Sequence, residues 1–234
     1  MIGSASVGFY FLPVVLLKSF IMVRKITAFL VGLIKDSIKT EIEDNMKRFA
    51  VIDTETTWGD EVMSIGASVA DFEGEKPFEL INKKYYVLTP FKDHGGMYTY
   101  ALYANGIKPD FEGTREQVMK NLREFFSAQG VSLVFAYNAV FDYHHLPELV
   151  DYEWYDIMKL AAYRQYNKKI PANAECFGTG RLKRGYGVES IYRMLSGDSG
   201  YCELHNALTD AADELTIMRM LGLGFDTYKI GRIG

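Results

Sequence analysis

The chain has 234 residues, of which 48% are hydrophobic and 14% aromatic, so it can bury one sizeable core. Its net charge of -4 argues against a protein that holds nucleic acid through bulk positive charge, and any such contact must be local. Its two cysteines, Cys176 and Cys202, form no metal-ligand or redox motif. This excludes a zinc finger and predicts a reducing, cytoplasmic compartment.

Residues 1–45 differ from the rest and are predicted to form an apolar, partly helical extension. The apolar blocks at 7–17 and 26–34 are shorter than the roughly 20 residues that span a bilayer, so no membrane span is expected. An amphipathic segment on a membrane or partner, a helix packed on the domain, and upstream sequence outside the working protein stay open, and we favour the last. The working domain is expected over 46–224, followed by a tail at 225–234.

Three strands are predicted at the start of this domain, from short apolar runs that are β-branched or alternate with polar residues. They cover residues 48–53, 62–71 and 84–89, and their short connections predict an antiparallel meander. A helix is then predicted from Thr114, the N-cap, to residue 128, because Gln117 completes a capping box.

A buried apolar strand at 131–137 is typical of parallel pairing. Helices and one further strand follow it in alternation. They are predicted as a helix at 139–150, a strand at 153–156, and helices at 157–166, 188–195 and 207–221. A meander followed by this alternation predicts an α/β fold, with a mixed five-stranded sheet flanked by helices.

The first predicted strand runs from four apolar residues directly into Asp53, Thr54 and Glu55. Residues two apart share a face of a strand, so Asp53 and Glu55 present their carboxylates side by side. Two like charges at the end of an apolar strand cost free energy unless something neutralises them, and a bound cation is the obvious partner. Taken alone, the motif favours the alternative of an acidic, solvated strand end over a metal site.

Another acid, Asp142, is expected at the same edge of the sheet. The apolar strand that ends near Asn138 leads into a helix whose first turn carries Asp142. In sheets of this kind, ligands collect beyond the carboxyl ends of the strands, where Asp53 and Glu55 also lie. By itself, Asp142 could simply complement the dipole of its helix.

His205 and Asp210 are separated by five residues, which on one helix corresponds to a rotation of about 500°. They cannot share a helix face, so His205 is predicted in the loop before the last helix and Asp210 in its first turns. A histidine on a mobile segment, following the glycines at 197 and 200, can take a proton from a water molecule at a metal site. The alternative for His205 alone is a surface imidazole.

Three segments, 53–57, 138–142 and 205–210, resemble in order and spacing the motifs of the DEDDh branch of the DnaQ-like 3'-5' exonucleases. The similarity covers about residues 47–221. It implies the ribonuclease H-like fold and hydrolysis of phosphodiester bonds at the 3' end of a single strand, with DNA favoured over RNA. The alternative is a non-catalytic adaptor or polymerase-associated binding module, against which the full set of acids argues.

The resemblance also implies the roles of the site residues. Four carboxylates make an oxygen-rich site suited to two Mg²⁺ or Mn²⁺ ions. Asp53 would bridge both ions, Glu55 and Asp210 would hold the ion that carries the attacking water, and Asp142 would support the second ion. His205 would be the general base.

Contacts to the nucleic acid are expected beside these motifs. By analogy with the family, Thr56 and Thr57 would donate hydrogen bonds to the terminal nucleotide, and Asn138 belongs to the second motif. Trp58 stands where the family commonly has glycine, and it either stacks on the terminal base or caps the sheet. The basic, glycine-rich stretch with Arg181 is a candidate for phosphate contacts or a plain solvated loop. A polymerase or a second copy of the chain stays open as the protein partner.

Overall fold

The structure is a computed structural model that describes residues 48–73 and 76–233. These residues belong to one compact unit. The predicted extension at 1–45 lies outside the described residues. Within the described ranges, no helix combines the length and the apolar composition needed to cross a bilayer.

The described residues form an α/β fold around a mixed sheet of seven strands, in the order β4-β3-β2-β1-β5-β6-β7. The strands are β1 (Arg48–Thr56), β2 (Val62–Glu73), β3 (Lys76–Leu88), β4 (Phe111–Gly113), β5 (Leu133–Ala136), β6 (Glu153–Asp156) and β7 (Arg232–Ile233). The first three form the predicted antiparallel meander. β5 runs parallel to β1, and β6 runs parallel to β5, so β1 joins the meander to the parallel strands.

The predicted count of five strands is wrong, because β4 and β7 add short edges to the sheet. β4 has three residues and pairs in parallel with the end of β3, and β7 has two residues and pairs with β6. Strands this short cannot display an alternating pattern, and tertiary pairing alone reveals them. β3 also begins at Lys76, well before the predicted start, and its first half pairs with β2 through two irregularities in register.

Helices cover both faces of the sheet. They are α1 (Arg115–Gln129), α2 (Val140–His145), α3 (Met158–Ala161), α4 (Val188–Ser196), α5 (Ala207–Leu221) and α6 (Phe225–Tyr228). α1 begins at the predicted cap, with Thr114 and Gln117 closing the capping box in both directions. α4 and α5 also lie where the sequence predicts them.

α2 and α3 are shorter than predicted, for local reasons. α2 ends at His145, two residues before Pro147, which opens a 3-10 turn. α3 ends at Ala161, whose carbonyl accepts a hydrogen bond from the buried amide of Asn167 at 2.8 Å. The chain then leaves the helix to pair at Tyr163 with the later hairpin.

The alternation of β1 determines which acids meet which helix. Ala50 and Ile52 pack into the core that includes α1, whereas Phe49 and Val51 pack into the core that includes α5. Successive side chains of a strand point to opposite faces, so Asp53 falls on the face covered by α5. The carboxyl end of this central strand is therefore the point where charged side chains from β1 and α5 come together.

Residues 225–233, expected as a tail, are packed against the same sheet. Phe225 and Tyr228 are buried, and the Phe225 ring lies 5.6 Å from that of Phe72. Gly231 approaches β6 so closely that an added Cβ would lie 2.7 Å from the Asp156 carbonyl oxygen. This segment therefore completes the core on the α5 face.

Candidate active site

An open cavity of about 370 Å³ lies beyond the carboxyl ends of β1 and β5. All five sequence-predicted catalytic or metal-binding residues line it. Its lining is Asp53, Thr54, Glu55, Thr56, Thr57, Trp58, Met97, Tyr98, Tyr137, Asn138, Phe141, Asp142, Glu203, His205 and Asp210. No lysine or arginine belongs to this lining in the described part of the chain, so a dense group of acids faces the opening without a cationic side chain.

A close approach of α5 to β2 brings Asp210 to the end of β1. Gly66 pairs with Asp53 across the two strands, and a Cβ added there would lie 1.9 Å from the carbonyl oxygen of Ala207. Only glycine allows the first turn of α5 to sit this low on the sheet. Asp210 follows one turn later and is 2% exposed.

Asn206 fixes the start of α5 in this position. Its side-chain oxygen accepts a hydrogen bond from the Leu208 amide at 3.2 Å, which caps the helix. Its side-chain nitrogen donates to the carbonyl of Ala101 at 2.8 Å and to the hydroxyl of Tyr85 at 3.1 Å. Asn206 is 1% exposed, so the helix start is held by a buried network.

His205 precedes this cap, as predicted, and its backbone has a φ of 56°. Its ring stacks on that of Tyr98, with centroids 4.0 Å apart and an interplanar angle of 15°. Burial lowers the pKa of His205 below 6.5, against a weaker opposing effect of Glu189. The imidazole is therefore neutral near pH 7, the state in which it can accept a proton. The sequence predicts a mobile histidine, whereas here the ring is held by an aromatic partner.

Asp142 reaches the cavity from α2 and is 3% exposed. The turn that leads to it contains Asn138, whose φ is 61°. The backbone N–H of Asn138 donates a hydrogen bond to the Asp156 carboxylate at 3.0 Å. The hydroxyl of Thr54 donates to the Asp142 carboxylate at 2.8 Å. Thr54 therefore orients an acid from another element, a role that the sequence analysis missed.

The electrostatics of the site is dominated by the burial of several carboxyls, and repulsion between them adds to it. Burial is the largest cause in each case, and neighbouring acids add to it for Asp53, Glu55 and Asp210. The pKa of Glu55 rises to about 9, that of Asp210 to about 8 and that of Asp142 to about 7, and the pKa of Asp53 rises well above its usual range. Without a cation, the raised pKa values shift these groups toward their protonated forms at neutral pH.

Two further acids belong to this environment and were not predicted. Glu214 lies one turn after Asp210 on α5, is 2% exposed, and accepts a hydrogen bond from the Tyr137 amide at 2.9 Å. Burial, together with Asp142, raises the pKa of Glu214 well above its usual range. Glu203 lines the cavity, and burial beside Glu189 raises its pKa to about 7. We call Asp53, Glu55, Asp142, Asp210 and Glu214 the acidic cluster.

Three side chains of the site could hold a metal ion. Glu55, His205 and Asp210 each offer one ligand atom, and these atoms lie within 4.8 Å of one another. Asp53 and Asp142 line the same cavity but do not belong to this tight group. One carboxylate oxygen of Asp53, Oδ2, is buried and has no hydrogen-bond partner among the described residues. Leaving a buried carboxylate oxygen unpaired costs free energy, and a bound cation would offset that cost.

Thr56, Thr57 and Trp58 also lie at the cavity, at the turn after β1. The Thr57 hydroxyl accepts hydrogen bonds from the amides of Gly59 and Glu61, and its own amide donates to the Glu61 carbonyl. Thr57 therefore closes the turn and has no free amide to offer a substrate. Trp58 is 72% exposed at the mouth of the cavity, so it does not cap the sheet.

Asn138 lines the cavity and its side chain is exposed, whereas Arg181 lies outside the lining. The Arg181 guanidinium lies 4.7 Å from the centroid of the Tyr186 ring. The carbonyl of Tyr186 in turn accepts a hydrogen bond from the hydroxyl of Tyr137, a lining residue. Arg181 is therefore connected to the wall of the cavity through two tyrosines.

These side chains form an open cavity that could hold a metal ion beside an imidazole with a lowered pKa. No family model matches this chain, and the search of curated proteins returns no significant match. The case for a function therefore rests on the residues of the cavity and on their geometry.

Proposed function

We propose that this chain is a metal-dependent 3'-5' exonuclease of the DnaQ-like DEDDh type, with a ribonuclease H-like arrangement of its sheet. Its substrate would be the 3' end of a single strand, DNA in preference to RNA. The observation that carries the proposal is the meeting of Asp53, Glu55, Asp142 and Asp210 with His205 in one cavity. A purely structural role gives no reason to bury several carboxyls together at such a cost in free energy.

Asp53 and its neighbours would hold two Mg²⁺ or Mn²⁺ ions, with Glu55 and Asp210 on one ion and Asp142 supporting the other. When bound, such ions lower the pKa of a water molecule and neutralise charge on the phosphate. Thr54 keeps the Asp142 carboxylate in a fixed orientation through its 2.8 Å hydrogen bond. The raised pKa values mean that metal binding would release protons from the cluster.

His205 would accept the proton of the attacking water. Its ring is within 4.8 Å of ligand atoms of Glu55 and Asp210, and its stacking on Tyr98 limits its rotation. The lowered pKa keeps the imidazole neutral and ready to act as a base near pH 7. The same distance would also allow His205 to bind a metal ion directly, so the two roles need an experiment that separates them.

The roles of His205 are separated by measuring kcat and the Mn²⁺ dependence together. If His205 acts as the base, His205→Ala lowers kcat sharply and leaves the Mn²⁺ concentration at half-maximal rate unchanged. A large rise in that concentration, with kcat restored by saturating Mn²⁺, would assign His205 as a ligand instead. Asp210→Asn is the reference for loss of a ligand, and its Mn²⁺ affinity is measured by direct binding because no turnover is expected from it.

The nuclease activity itself is tested with a 5'-labelled single-stranded oligonucleotide in the presence of Mn²⁺. We expect stepwise shortening from the 3' end, no reaction in a chelator, and no reaction of Asp53→Asn or Asp210→Asn. Asp151→Asn is the control, because Asp151 is exposed, pairs with Arg123 at 2.7 Å and lies outside the cavity. Wild-type rates in Asp210→Asn would refute the assignment, and no shortening by the wild type would favour a non-catalytic binding module.

A further inference from the structure

The segment between α3 and α4 carries a group of cations with no anionic partner in the described part of the chain. Residues 163–187 contain six lysines and arginines and a single acid, Glu175, in a chain whose net charge is -4. Elsewhere most arginines are paired, as Arg48 is with Asp71 and Arg115 with Glu148, both at 2.7 Å. By contrast, Arg181, Lys183 and Arg184 pair with no carboxylate among the residues that the structure describes.

These cations stand on a defined hairpin rather than on a plain loop. The amide of Phe177 donates to the carbonyl of Arg181 at 2.8 Å, and the amide of Lys183 donates to that of Glu175 at 3.0 Å. The amide of Leu182 donates to the carbonyl of Ala162 at 2.9 Å, which ties the hairpin to the end of α3. We call residues 175–184 the basic hairpin.

The basic hairpin is joined to the wall of the cavity. The Arg181 guanidinium stacks on the Tyr186 ring, and the Tyr186 carbonyl accepts the hydroxyl of the lining residue Tyr137. The Nε atom of Arg181 is buried without a hydrogen-bond partner among the described residues. Lys183 and Arg184 follow on the exposed side of the hairpin. Positive charge on the basic hairpin is therefore linked to the wall of the acidic cavity through Arg181, and two exposed cations follow it along the chain.

The basic hairpin and the acidic cavity would act differently on the phosphates of a bound nucleic-acid strand. When its carboxyls are ionised, the acidic cluster repels every phosphate that bound ions do not neutralise, and those ions would serve only the phosphate at the cleaved bond. The remaining phosphates of a strand need a positive surface, and unpaired arginines and lysines are the side chains that supply it. A separate cavity near Lys168 and Lys169 has no connection of this kind to the acidic site among the described contacts.

We propose that the basic hairpin binds the sugar-phosphate backbone of the single strand on the 5' side of the cleaved bond. Arg181 contacts the phosphate beside the cavity wall, and Lys183 and Arg184 contact phosphates further along the strand. The identity of the strand rests on the proposed function, whereas the binding surface rests on the hairpin itself. Because the contacts are to phosphates, the surface binds strands irrespective of base sequence.

The test removes charge from the hairpin without touching the cavity. Lys183→Gln/Arg184→Gln is compared with Lys83→Gln/Lys120→Gln, a control that removes two exposed cations of β3 and α1, also unpaired within the described ranges. Both are built in Asp210→Asn so that the strand stays intact. Binding of a labelled oligothymidylate is measured at increasing KCl concentrations, and circular dichroism checks the fold. Arg181→Gln and Arg181→Lys follow as single variants.

Each lost phosphate contact should reduce the slope of log K against log salt concentration by about 0.7, so the hairpin variant should lose roughly 1.4. The control variant should keep the slope of the parent. An unchanged slope in the hairpin variant, or an equal loss in the control, would overturn the proposal. Absence of any binding of the oligonucleotide by the parent would also overturn it.

A small substrate separates this inference from the proposed function. The nitrophenyl ester of thymidine monophosphate has no phosphate beyond the one at the cleaved bond, so the hairpin substitutions in the catalytically intact chain should not change its rate of hydrolysis. Hydrolysis of the ester together with an unaltered salt slope would refute the proposed role of the basic hairpin and leave the proposed nuclease activity standing. A reduced salt slope without hydrolysis of any substrate would refute the proposed nuclease activity and leave the phosphate-binding role of the basic hairpin standing.

Discussion

Asp210→Asn should make the metal-free protein more stable while it abolishes activity. Asp210 is 2% exposed, and its pKa is about 8 against an ordinary value of 3.8. At pH 8, ionising this group costs on the order of 5 kcal/mol more in the folded chain than in the unfolded chain. Asparagine removes the charge and keeps the oxygen that accepts the Thr209 hydroxyl at 3.2 Å.

The net gain is smaller than this cost, because the amide of asparagine must also be buried without water. We expect a gain on the order of 2 kcal/mol, or roughly 4–8 °C in Tm for a domain of this size. Thermal unfolding at pH 8 in a chelator measures it. Asp151→Asn is the matched control and should lose stability slightly, because Arg123 lowers the pKa of Asp151 through a hydrogen bond at the surface.

At saturating Mn²⁺ the wild type should become more stable than Asp210→Asn, the reverse of the order expected in a chelator. The wild type gains stability from an ion that binds the folded state alone, and Asp210→Asn gains much less because a ligand is missing. The reasoning would be refuted if Asp210→Asn were less stable than the wild type in a chelator at pH 8. The same conclusion would follow if both proteins gained equally from Mn²⁺.

Three further outcomes are expected. The metal-free protein should lose stability as the pH rises from about 6 to about 9, because acids with raised pKa values in the folded state bind protons that the unfolded state has released; a Tm that rises over this range would contradict the electrostatics. Gly66→Ala should destabilise the fold by about 1–3 kcal/mol and lower activity, because it displaces the start of α5. Gly178→Ala is the control, since no atom lies within 4 Å of the added Cβ, and it should change neither property. Urea denaturation measures the stability, and the nuclease assay measures the activity. Trp58→Ala should leave Tm unchanged and weaken single-strand binding by about 1–3 kcal/mol, while Tyr100→Ala, 71% exposed but outside the cavity lining, should bind as the wild type does in an anisotropy titration.

The central elements of the fold could be predicted because their sequence patterns are strong. β1 alternates between two buried faces, and that alternation also places Asp53 on the α5 face. The capping box at Thr114 and the apolar stripe of α1 fix a helix with its start. By contrast, β4 and β7 have no pattern of their own, because pairing with β3 and β6 alone creates them.

The missed site residues look ordinary in the sequence. Glu214 resembles any surface acid of a helix, and its spacing of four from Asp210 was the one available sign that it shares a face with that acid. Thr54 stands between two predicted ligands, and the strand period directs it away from them. Its hydrogen bond to Asp142 depends on how α2 returns to β1, which no local pattern records.

The stacking of His205 on Tyr98 is another contact that no local sequence pattern reveals. The loop that carries Tyr98 lies more than a hundred positions before the histidine, so no spacing relates the two rings. The sequence indicates a mobile histidine because glycines precede it, whereas packing against a distant aromatic ring decides its position. Contacts between residues this far apart in the chain leave no periodic or spacing signal in the sequence, so they could not be predicted from it.

Anomalous scattering from crystals grown with Mn²⁺ and a nucleoside monophosphate tests the central claim most directly. The account predicts two manganese peaks, roughly 3.5–4 Å apart, with Asp53 between them and Glu55, Asp142 and Asp210 as ligands. A fully buried acidic cluster that stays protonated and gives no manganese peak at saturating Mn²⁺ and pH 8 would contradict it.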